Sequence, residues 1–250
     1  SILCADNPEL CKLFPLIAKP FWTYGFSEHA NFRITNFKAK GPGSTFTLLR
    51  NGSKLCDVTL HVPGVHNATN AVGALAAALE LDIDLDKALE GLAKFTGVRR
   101  RFEFKGKTAE KKITIVDDYG HHPTEIAATI AAAKSYWPDG RVVVAFQPHR
   151  YSRTQICWGQ FAESLAGADQ IYLLDVYAAG EPPIPGISSE ALCKQIALQI
   201  PALEKKCVYI GSMDQAAESL KAKLKAGDLL VTLGAGNITN LGPTLLKSWQ

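Results

Sequence analysis

The pattern of apolar and polar positions along the chain changes near residue 100. Before that point, short stretches rich in β-branched and aromatic residues are separated by glycine and proline, which is typical of strands joined by loops. The pattern predicts strands over 21–24, 31–39, 45–49 and 58–62. An alanine- and leucine-rich stretch predicts a helix over 70–81, and a second helix is expected over 84–94, where aspartates occupy the first turn.

After residue 100, short apolar strands alternate with helices. Strands are predicted over 113–116, 141–146, 171–175, 208–210 and 229–233. Helices are predicted over 123–137, from Ser152, over 189–200, from Ser212 to Leu224 and over 237–247. Two of these helices begin with apparent capping boxes, formed by Ser152 with Gln155 and by Ser212 with Gln215. Buried strands that alternate with helices predict a mostly parallel α/β sheet, whose ligands bind beyond the carboxyl ends of the strands.

Composition narrows the class of protein. The chain of 250 residues is 47% hydrophobic and 20% charged, which is ordinary for a globular protein. A formal net charge of +3 predicts neither a nucleic-acid partner nor a membrane-surface partner. The six cysteines lack zinc-ligand spacing, which fits a reducing compartment. The apolar run near residues 71–79 is shorter than the ~18 residues that a membrane-spanning helix needs. We therefore expect a cytoplasmic protein.

The chain begins at Ser1, and its only methionine is Met213. On these grounds we expect a fragment of a longer protein. The change of pattern near Gly97 predicts a boundary between two domains, which would comprise residues 1–97 and 98–250.

Reactive side chains follow three successive strands of the second domain. Two carboxylates, a phenol and two imidazoles occupy 117–122, just before a helix N-terminus that attracts anions. The next strand is followed by Arg150 and Arg153, whose guanidinium groups suit a carboxylate or a phosphate. A third polar segment covers 175–181. A helix cap, surface arginines or an ordinary loop could explain each segment alone, but the three together predict a ligand site.

Residues 63–70 open the alanine-rich helix. Asn67 and Asn70 lie three positions apart and can share one face, where their amides offer the donor and acceptor that an adenine edge requires. Asn67 could instead cap the helix. The arginines of 99–101 could reach a polyphosphate or could form a solvated run of charge.

Two further segments resemble phosphate loops only weakly. Residues 106–108 lack the upstream glycine of a P-loop and fit a compact turn better. Residues 234–236 carry only a lone Gly-Ala-Gly that could cradle an anion. No Gly-x-Gly-x-x-Gly follows an early strand, which argues against a dinucleotide dehydrogenase.

Five segments carry a family resemblance. They are Pro-Gly-Val-His-Asn-Ala-Thr-Asn at 63–70, Arg-Arg-Phe-Glu at 100–103, Asp-Asp-Tyr-Gly-His-His-Pro-Thr-Glu-Ile at 117–126, Phe-Gln-Pro-His-Arg-Tyr-Ser-Arg-Thr at 146–154 and Asp-Val-Tyr-Ala-Ala-Gly-Glu at 175–181. Over essentially its whole length the chain resembles the Mur ligases of peptidoglycan synthesis. The first two segments are shared across that family, and the last three together resemble the branch that attaches L-alanine to UDP-N-acetylmuramate. A recycling ligase that attaches a tripeptide to the same sugar acid has a similar histidine motif but lacks the His-Arg-Tyr-Ser-Arg pattern.

The resemblance implies a fold and a reaction. Residues 1–97 would be the end of a central P-loop-type ATPase domain, and residues 98–250 would be a Rossmann-like C-terminal domain. A UDP-binding domain, the P-loop and the Mg²⁺ ligands would lie upstream, so this chain alone is expected to be inactive. The implied substrates are ATP, UDP-N-acetylmuramate and L-alanine. We expect a monomer or at most a weak dimer, with no nucleic-acid or membrane partner.

The resemblance also implies roles for individual residues. Adenine would be held by His66, Asn67 and Asn70, the ATP phosphates would be reached by Arg101, and the ribose would be bound by Asp118. The sugar-acid carboxylate and the incoming alanine would be positioned by Tyr119, His121, Arg150 and Arg153. Among these, His121, Arg150 and Arg153 are the expected catalytic residues, with His121 as the candidate base. A non-catalytic module that binds a nucleotide or a wall precursor is the alternative from another class.

Overall fold

The computed structural model describes residues 1–40 and 43–249. The chain divides into two compact units, Ser1–Gly97 and Val98–Gln250, called unit 1 and unit 2 below. Each unit has a separate sheet and a separate apolar core.

Within its described residues, unit 1 is a five-stranded sheet covered by helices. The strands, in spatial order, are β1 (Ile2–Cys4), β2 (Trp22–Gly25), β3 (Phe32–Lys40), β4 (Gly43–Arg50) and β5 (Ser53–Leu60). The helices are α1 (Pro8–Cys11), α2 (Val65–Glu80) and α3 (Leu85–Lys94). Strands β1 to β3 are parallel, and β3 to β5 are antiparallel. The alanine-rich face of α2 packs on the sheet, where Leu75 joins Phe32 and Leu48 in the core.

Helix α2 begins earlier than the sequence pattern predicts. It starts at Val65 instead of residue 70, and Gly64 is the N-cap residue with a φ of 97° that favours glycine. The suggestion that Asn67 caps this helix is therefore wrong, because Asn67 lies inside the first turn. The start predicted for α3 is confirmed, since the Asp84 side chain accepts hydrogen bonds from the backbone N–H groups of Asp86 and Lys87.

The sheet of unit 2, as far as the structure describes it, has six strands. In spatial order they are β10 (Cys207–Gly211), β9 (Gln170–Leu174), β8 (Val142–Phe146), β11 (Leu229–Leu233), β7 (Thr114–Asp118) and β6 (Glu103–Lys107). Neighbouring strands are parallel except for β6, which runs antiparallel to β7 at one edge. The prediction of a mostly parallel α/β sheet is confirmed.

Helices cover both faces of this sheet. They are α4 (Pro123–Tyr136), α5 (Tyr151–Ile156), α6 (Phe161–Leu165), α7 (Ser189–Gln199), α8 (Met213–Lys223) and α9 (Leu241–Ser248). Alternate strand residues enter opposite cores: Val144 packs with α4, α6 and α7, whereas Val143 packs with α8 and α9. The face predicted for α4 is confirmed, because Ile126, Ile130 and Ala133 are all buried. Burial on both faces explains why the central strand β8 is continuously apolar.

Three local predictions fail in unit 2. Residues 106 and 107 belong to strand β6 instead of a compact turn, because the antiparallel partner β7 supplies hydrogen bonds that local sequence does not reveal. No capping box forms at Ser152 and Gln155, since α5 begins at Tyr151 and the Ser152 hydroxyl bonds elsewhere. The helix predicted over 237–247 is split into a 3₁₀ turn, Asn237–Asn240, followed by α9.

The capping box of Ser212 with Gln215 is confirmed at the start of α8. In the described part of the chain, no helix is both long enough and apolar enough to cross a membrane.

Helix α7 offers a matched test of the core. Ile196 is fully buried, whereas Leu198 on the same helix is 79% exposed. We expect Ile196→Ala to lower the free energy of unfolding of unit 2 by about 2–5 kcal/mol, because it leaves a cavity. Leu198→Ala should change it by less than about 0.5 kcal/mol. Native-state hydrogen exchange at the β8 amides measures both values, and equal effects would contradict the assigned packing.

Candidate functional site

The register of the parallel strands aligns their carboxyl ends. Asp118 at the end of β7 pairs with Leu233 of β11, Leu233 pairs with Phe146 of β8, and Phe146 pairs with Leu173 of β9. The segments that follow these strands therefore leave the sheet at one edge. This is the edge at which open α/β sheets bind ligands.

A row of rings joins the three predicted segments at this edge. The ring centroids of Tyr119 and His121 lie 5.3 Å apart, and those of His121 and His149 lie 5.9 Å apart. His149 stacks on Tyr177 with a centroid separation of 5.5 Å and an interplanar angle of 15°. We call Tyr119, His121, His149 and Tyr177 the ring row. His149 and Tyr177 were not among the predicted site residues, although both lie in segments that the sequence singled out.

His149 is bound to one of the predicted arginines. The Arg153 guanidinium lies 3.0 Å from Nδ1 of His149 and also donates to the His149 carbonyl at 3.3 Å. Burial, followed by the charges of Arg153, His121 and Arg150, lowers the pKa of His149 below its ordinary value. The imidazole is thus neutral at pH 7. Because Nδ1 accepts from Arg153, the ring proton resides on Nε2.

His121 is oriented by acceptors on its own segment. Its Nδ1 lies 3.1 Å from the Tyr119 carbonyl oxygen and 3.4 Å from Oε2 of Glu125. Glu125 completes a capping box with His122 at the start of α4 and accepts hydrogen bonds from the N–H groups of His121 and His122. Burial opposes ionisation of Glu125, but these hydrogen bonds and nearby positive charges outweigh it and lower the pKa. Because Nδ1 faces two acceptors, the neutral His121 ring would carry its proton there and present the Nε2 lone pair as an acceptor.

Arg101 and Arg150 each lie beside a carboxylate and are half-exposed. Arg101 is 3.6 Å from Oε1 of Glu125 and lies over the Tyr119 ring at 5.7 Å. Arg150 is 3.8 Å from Oε1 of Glu181. Arg101 lies just before β6, and Arg150 and Arg153 follow β8. These three guanidinium groups can bind an anionic ligand.

The two adjacent aspartates have different surroundings. Asp118 is buried and accepts hydrogen bonds from the backbone N–H groups of Phe102 and Gly120 at 2.8 and 2.7 Å. Burial raises the pKa of Asp118, and the hydrogen bonds act in the opposite direction. Asp117 is completely buried and accepts from the hydroxyls of Thr232 and Thr239 at 2.7 and 2.8 Å. Asp118 thus fastens neighbouring backbone, whereas Asp117 binds two threonine hydroxyls. The expected contact of Asp118 with a ribose stays a prediction.

Arg100 differs from its neighbour Arg101. Its guanidinium donates to the carbonyl oxygens of Gly234 and Gly236 at 2.6 and 3.1 Å, and its Nε lies 3.5 Å from Asp117. The Gly234–Gly236 loop therefore directs carbonyl oxygens toward a cation, which favours a structural role over an anion cradle. Gly236 also allows the approach of Tyr177, because an added Cβ would lie 2.7 Å from the Tyr177 ring.

The predicted adenine-binding residues lie on α2 in unit 1. His66 and Asn67 are half-buried, and Asn70 is exposed one turn further along the helix. The Asn67 side chain donates to the Pro63 carbonyl at 2.7 Å, which holds the amide at the start of the helix. Their assignment to adenine stays a prediction.

The fold and this edge define a doubly wound α/β protein that collects cationic and imidazole groups at the carboxyl ends of its strands. Residues 100–236 match the family model for the Mur ligase glutamate ligase domain, and residues 1–78 match the model for the Mur ligase middle domain. The chain belongs to the Mur ligase family.

Individual relatives agree with this assignment. A UDP-N-acetylmuramate–L-alanine ligase of Trichlorobacter lovleyi is 43% identical over 99% of this chain and 53% of its own length. The solved UDP-N-acetylmuramate–alanine ligase of Thermotoga maritima is 27% identical with a TM-score of 0.76, covering 92% of this chain and 48% of the other. A murein peptide ligase of Psychrobacter arcticus shares the fold, at 23% identity and a TM-score of 0.69 over 99% of this chain and 50% of the other. The chain spans about half the length of the curated relatives it matches.

The environment of His149 predicts its titration. Its pKa should lie below 6.5, and Arg153→Gln should raise it because a neighbouring positive charge is removed. The unfolded chain binds this proton more tightly than the folded one, so His149 makes the fold less stable as pH falls from about 6.5 toward the folded-state pKa.

An NMR titration of the His149 ring measures this shift. Arg150→Gln is the matched control and should raise the pKa less, since Arg150 contributes less than Arg153. A wild-type pKa at or above 6.5 would refute the assigned environment.

Proposed function

We propose that this chain is part of an ATP-dependent ligase that joins L-alanine to the carboxylate of UDP-N-acetylmuramate. The observation that carries this proposal is its 43% identity, over 99% of the chain, to a relative with that name. The meeting of the segments after β7, β8 and β9 in the ring row adds support. We further propose that residues 1–97 are the end of the central ATP-binding domain and that residues 98–250 are the ligand-binding C-terminal domain.

The proposed reaction has two steps. A carboxylate oxygen of the sugar acid attacks the γ-phosphorus of ATP, so that ADP leaves and an acyl phosphate forms. The amine of L-alanine then attacks the acyl carbon, and phosphate leaves from the tetrahedral intermediate. Both steps build up negative charge that cations must stabilise. The guanidinium groups of Arg150 and Arg153 and the phenol of Tyr119 suit this task, since they lie along one edge of the sheet.

The amine must lose a proton before or during its attack. His121 is the proposed base, because two acceptors at its Nδ1 leave the lone pair on Nε2. Neutral His149 would direct its Nε2 proton toward an acceptor on a substrate and would keep Arg153 in place.

The proposed nucleotide-binding residues are described for each unit separately. In unit 1, His66, Asn67 and Asn70 are proposed to recognise adenine through their hydrogen-bonding groups. In unit 2, Arg101 is proposed to reach the phosphates and Asp118 the ribose. Among the residues that the structure describes, no group of three or more His, Cys, Asp or Glu side chains could hold a metal ion. By the family resemblance, we propose that the Mg²⁺ that accompanies ATP has its ligands outside this chain.

Partners and location follow from the same proposal. The substrates would be small molecules, and the protein would be a monomer or a weak dimer. All six cysteines are free thiols, which supports a cytoplasmic location.

Two alternative functions can be tested in one assay. A recycling ligase that attaches a tripeptide to the same sugar acid is the first alternative, and a murein peptide ligase of Psychrobacter arcticus shares the fold. A non-catalytic module that binds a nucleotide or a wall precursor is the second alternative.

Phosphate release by the full-length gene product separates these functions. The protein is mixed with ATP, Mg²⁺ and UDP-N-acetylmuramate, and either L-alanine or the tripeptide is added. We expect release with L-alanine. Release only with the tripeptide would indicate the recycling ligase, and no release with either would contradict the enzyme. The present chain, assayed alone, should release no phosphate.

Arg101 allows a sharper test of nucleotide binding. In the full-length enzyme, Arg101→Ala should raise the KM for ATP by about tenfold or more, since a hydrogen bond to a charged group contributes about 1.5–3 kcal/mol. Arg99→Ala removes a neighbouring exposed arginine and is the matched control, with an expected change below about twofold. If both substitutions raised the KM for ATP equally, ATP binding would depend on the overall positive charge of this segment and not on a specific contact with Arg101.

A further inference from the structure

Helix α5 does not cap its own N-terminus. Its N-cap residue is Arg150, whose side chain makes no capping hydrogen bond. Glu181, which lies 29 residues after Ser152, supplies the acceptor instead. One carboxylate oxygen accepts from the Ser152 backbone N–H at 3.0 Å, and the other accepts from the Ser152 hydroxyl at 2.7 Å. A carboxylate at a helix N-terminus is stabilising, and here it comes from a different loop.

The same loop holds a strained residue. Arg150 has a φ of 70°, which is unfavourable for a side chain of this kind and persists only when surrounding contacts impose it. The Arg150 backbone N–H donates to the Tyr177 carbonyl at 2.8 Å, and the Tyr177 N–H donates to the Pro148 carbonyl at 2.8 Å. Residues 177–181 thus bind the turn before α5 through its backbone and through Ser152.

Glu181 also affects the charge of the site. The hydrogen bonds from the Ser152 backbone and hydroxyl lower the pKa of Glu181, and Arg150 acts in the same direction. The group is therefore ionised at neutral pH, and its Oε1 lies 3.8 Å from the Arg150 guanidinium. This carboxylate already occupies the N-terminus of α5. The side chains of Arg150 and Arg153 would attract a substrate anion.

We propose that Glu181 is a positioning residue that caps α5 and imposes the conformation of Arg150, through which it acts on a substrate carboxylate. This inference rests on the proposed ligase function. Glu181 itself would not touch the substrate. Its effect on the reaction should therefore disappear once Arg150 is removed.

A double-mutant cycle in the full-length enzyme tests this dependence. We expect Glu181→Ala to raise the KM for a carboxylate substrate, either UDP-N-acetylmuramate or L-alanine, roughly tenfold. The value of kcat should change less than about twofold. In an Arg150→Ala background, Glu181→Ala should cause no further rise. Ser152→Ala removes one hydrogen bond but keeps the charge, so a rise of at most about threefold is expected. Glu163→Ala, which removes an exposed carboxylate on α6, is the control and should change neither parameter.

Independent effects of the two substitutions would overturn the proposal, because Glu181 would then act directly or through another group. The cap itself is tested on the present chain without any activity measurement. Hydrogen exchange at the Ser152 amide should become about tenfold faster in Glu181→Ala than in wild type and in Glu163→Ala. Unchanged exchange would refute the cap. If exchange accelerates but the wild-type full-length enzyme shows no ligase activity, the proposed function fails and Glu181 has no substrate to position.

Discussion

The parallel register of β7, β11, β8 and β9 is the constraint on which the site depends. Backbone hydrogen bonds place the last residues of these strands opposite one another, and apolar side chains on both faces prevent a shift by one position. Such a shift would exchange the residues that enter the two cores. The segments after the strands therefore start from fixed points, and the ring row can form from residues that are up to 58 positions apart.

Charged hydrogen bonds then connect the segments to one another. Arg100 fastens the loop after β11 to Asp117 of β7, and Glu181 fastens the loop after β9 to the start of α5. Both links join residues from different strand ends instead of neighbours in sequence. Buried or partly buried groups of this kind cost desolvation, but they orient loops that would otherwise be mobile. The proposed substrate-binding arginines, Arg101 and Arg150, are left at the surface of this framework.

The site combines fixed positive charge with neutral imidazole. Burial and the charge of Arg153 lower the pKa of His149, and Arg153 donates a hydrogen bond to the same ring, so a cation and a neutral ring lie side by side. Glu125 and Glu181 stay ionised because backbone N–H groups at two helix starts bind them. This distribution suits a reaction in which anions gather and an amine must arrive without its proton.

The sequence by itself determined the class of fold, the order of the five parallel strands in the second half, and the polar segments that meet at their carboxyl ends, but it missed the antiparallel edge strand β6. Apolar runs and helical periodicity are local patterns, so they can be recognised in the sequence without the tertiary structure. Only the tertiary structure decided which groups bind one another. Arg100 has a structural role beside the exposed Arg101, and His149 and Tyr177 belong to the ring row. The Glu181 carboxylate lies at the N-terminus of α5. Those contacts join residues distant along the chain, and local sequence carries no record of them.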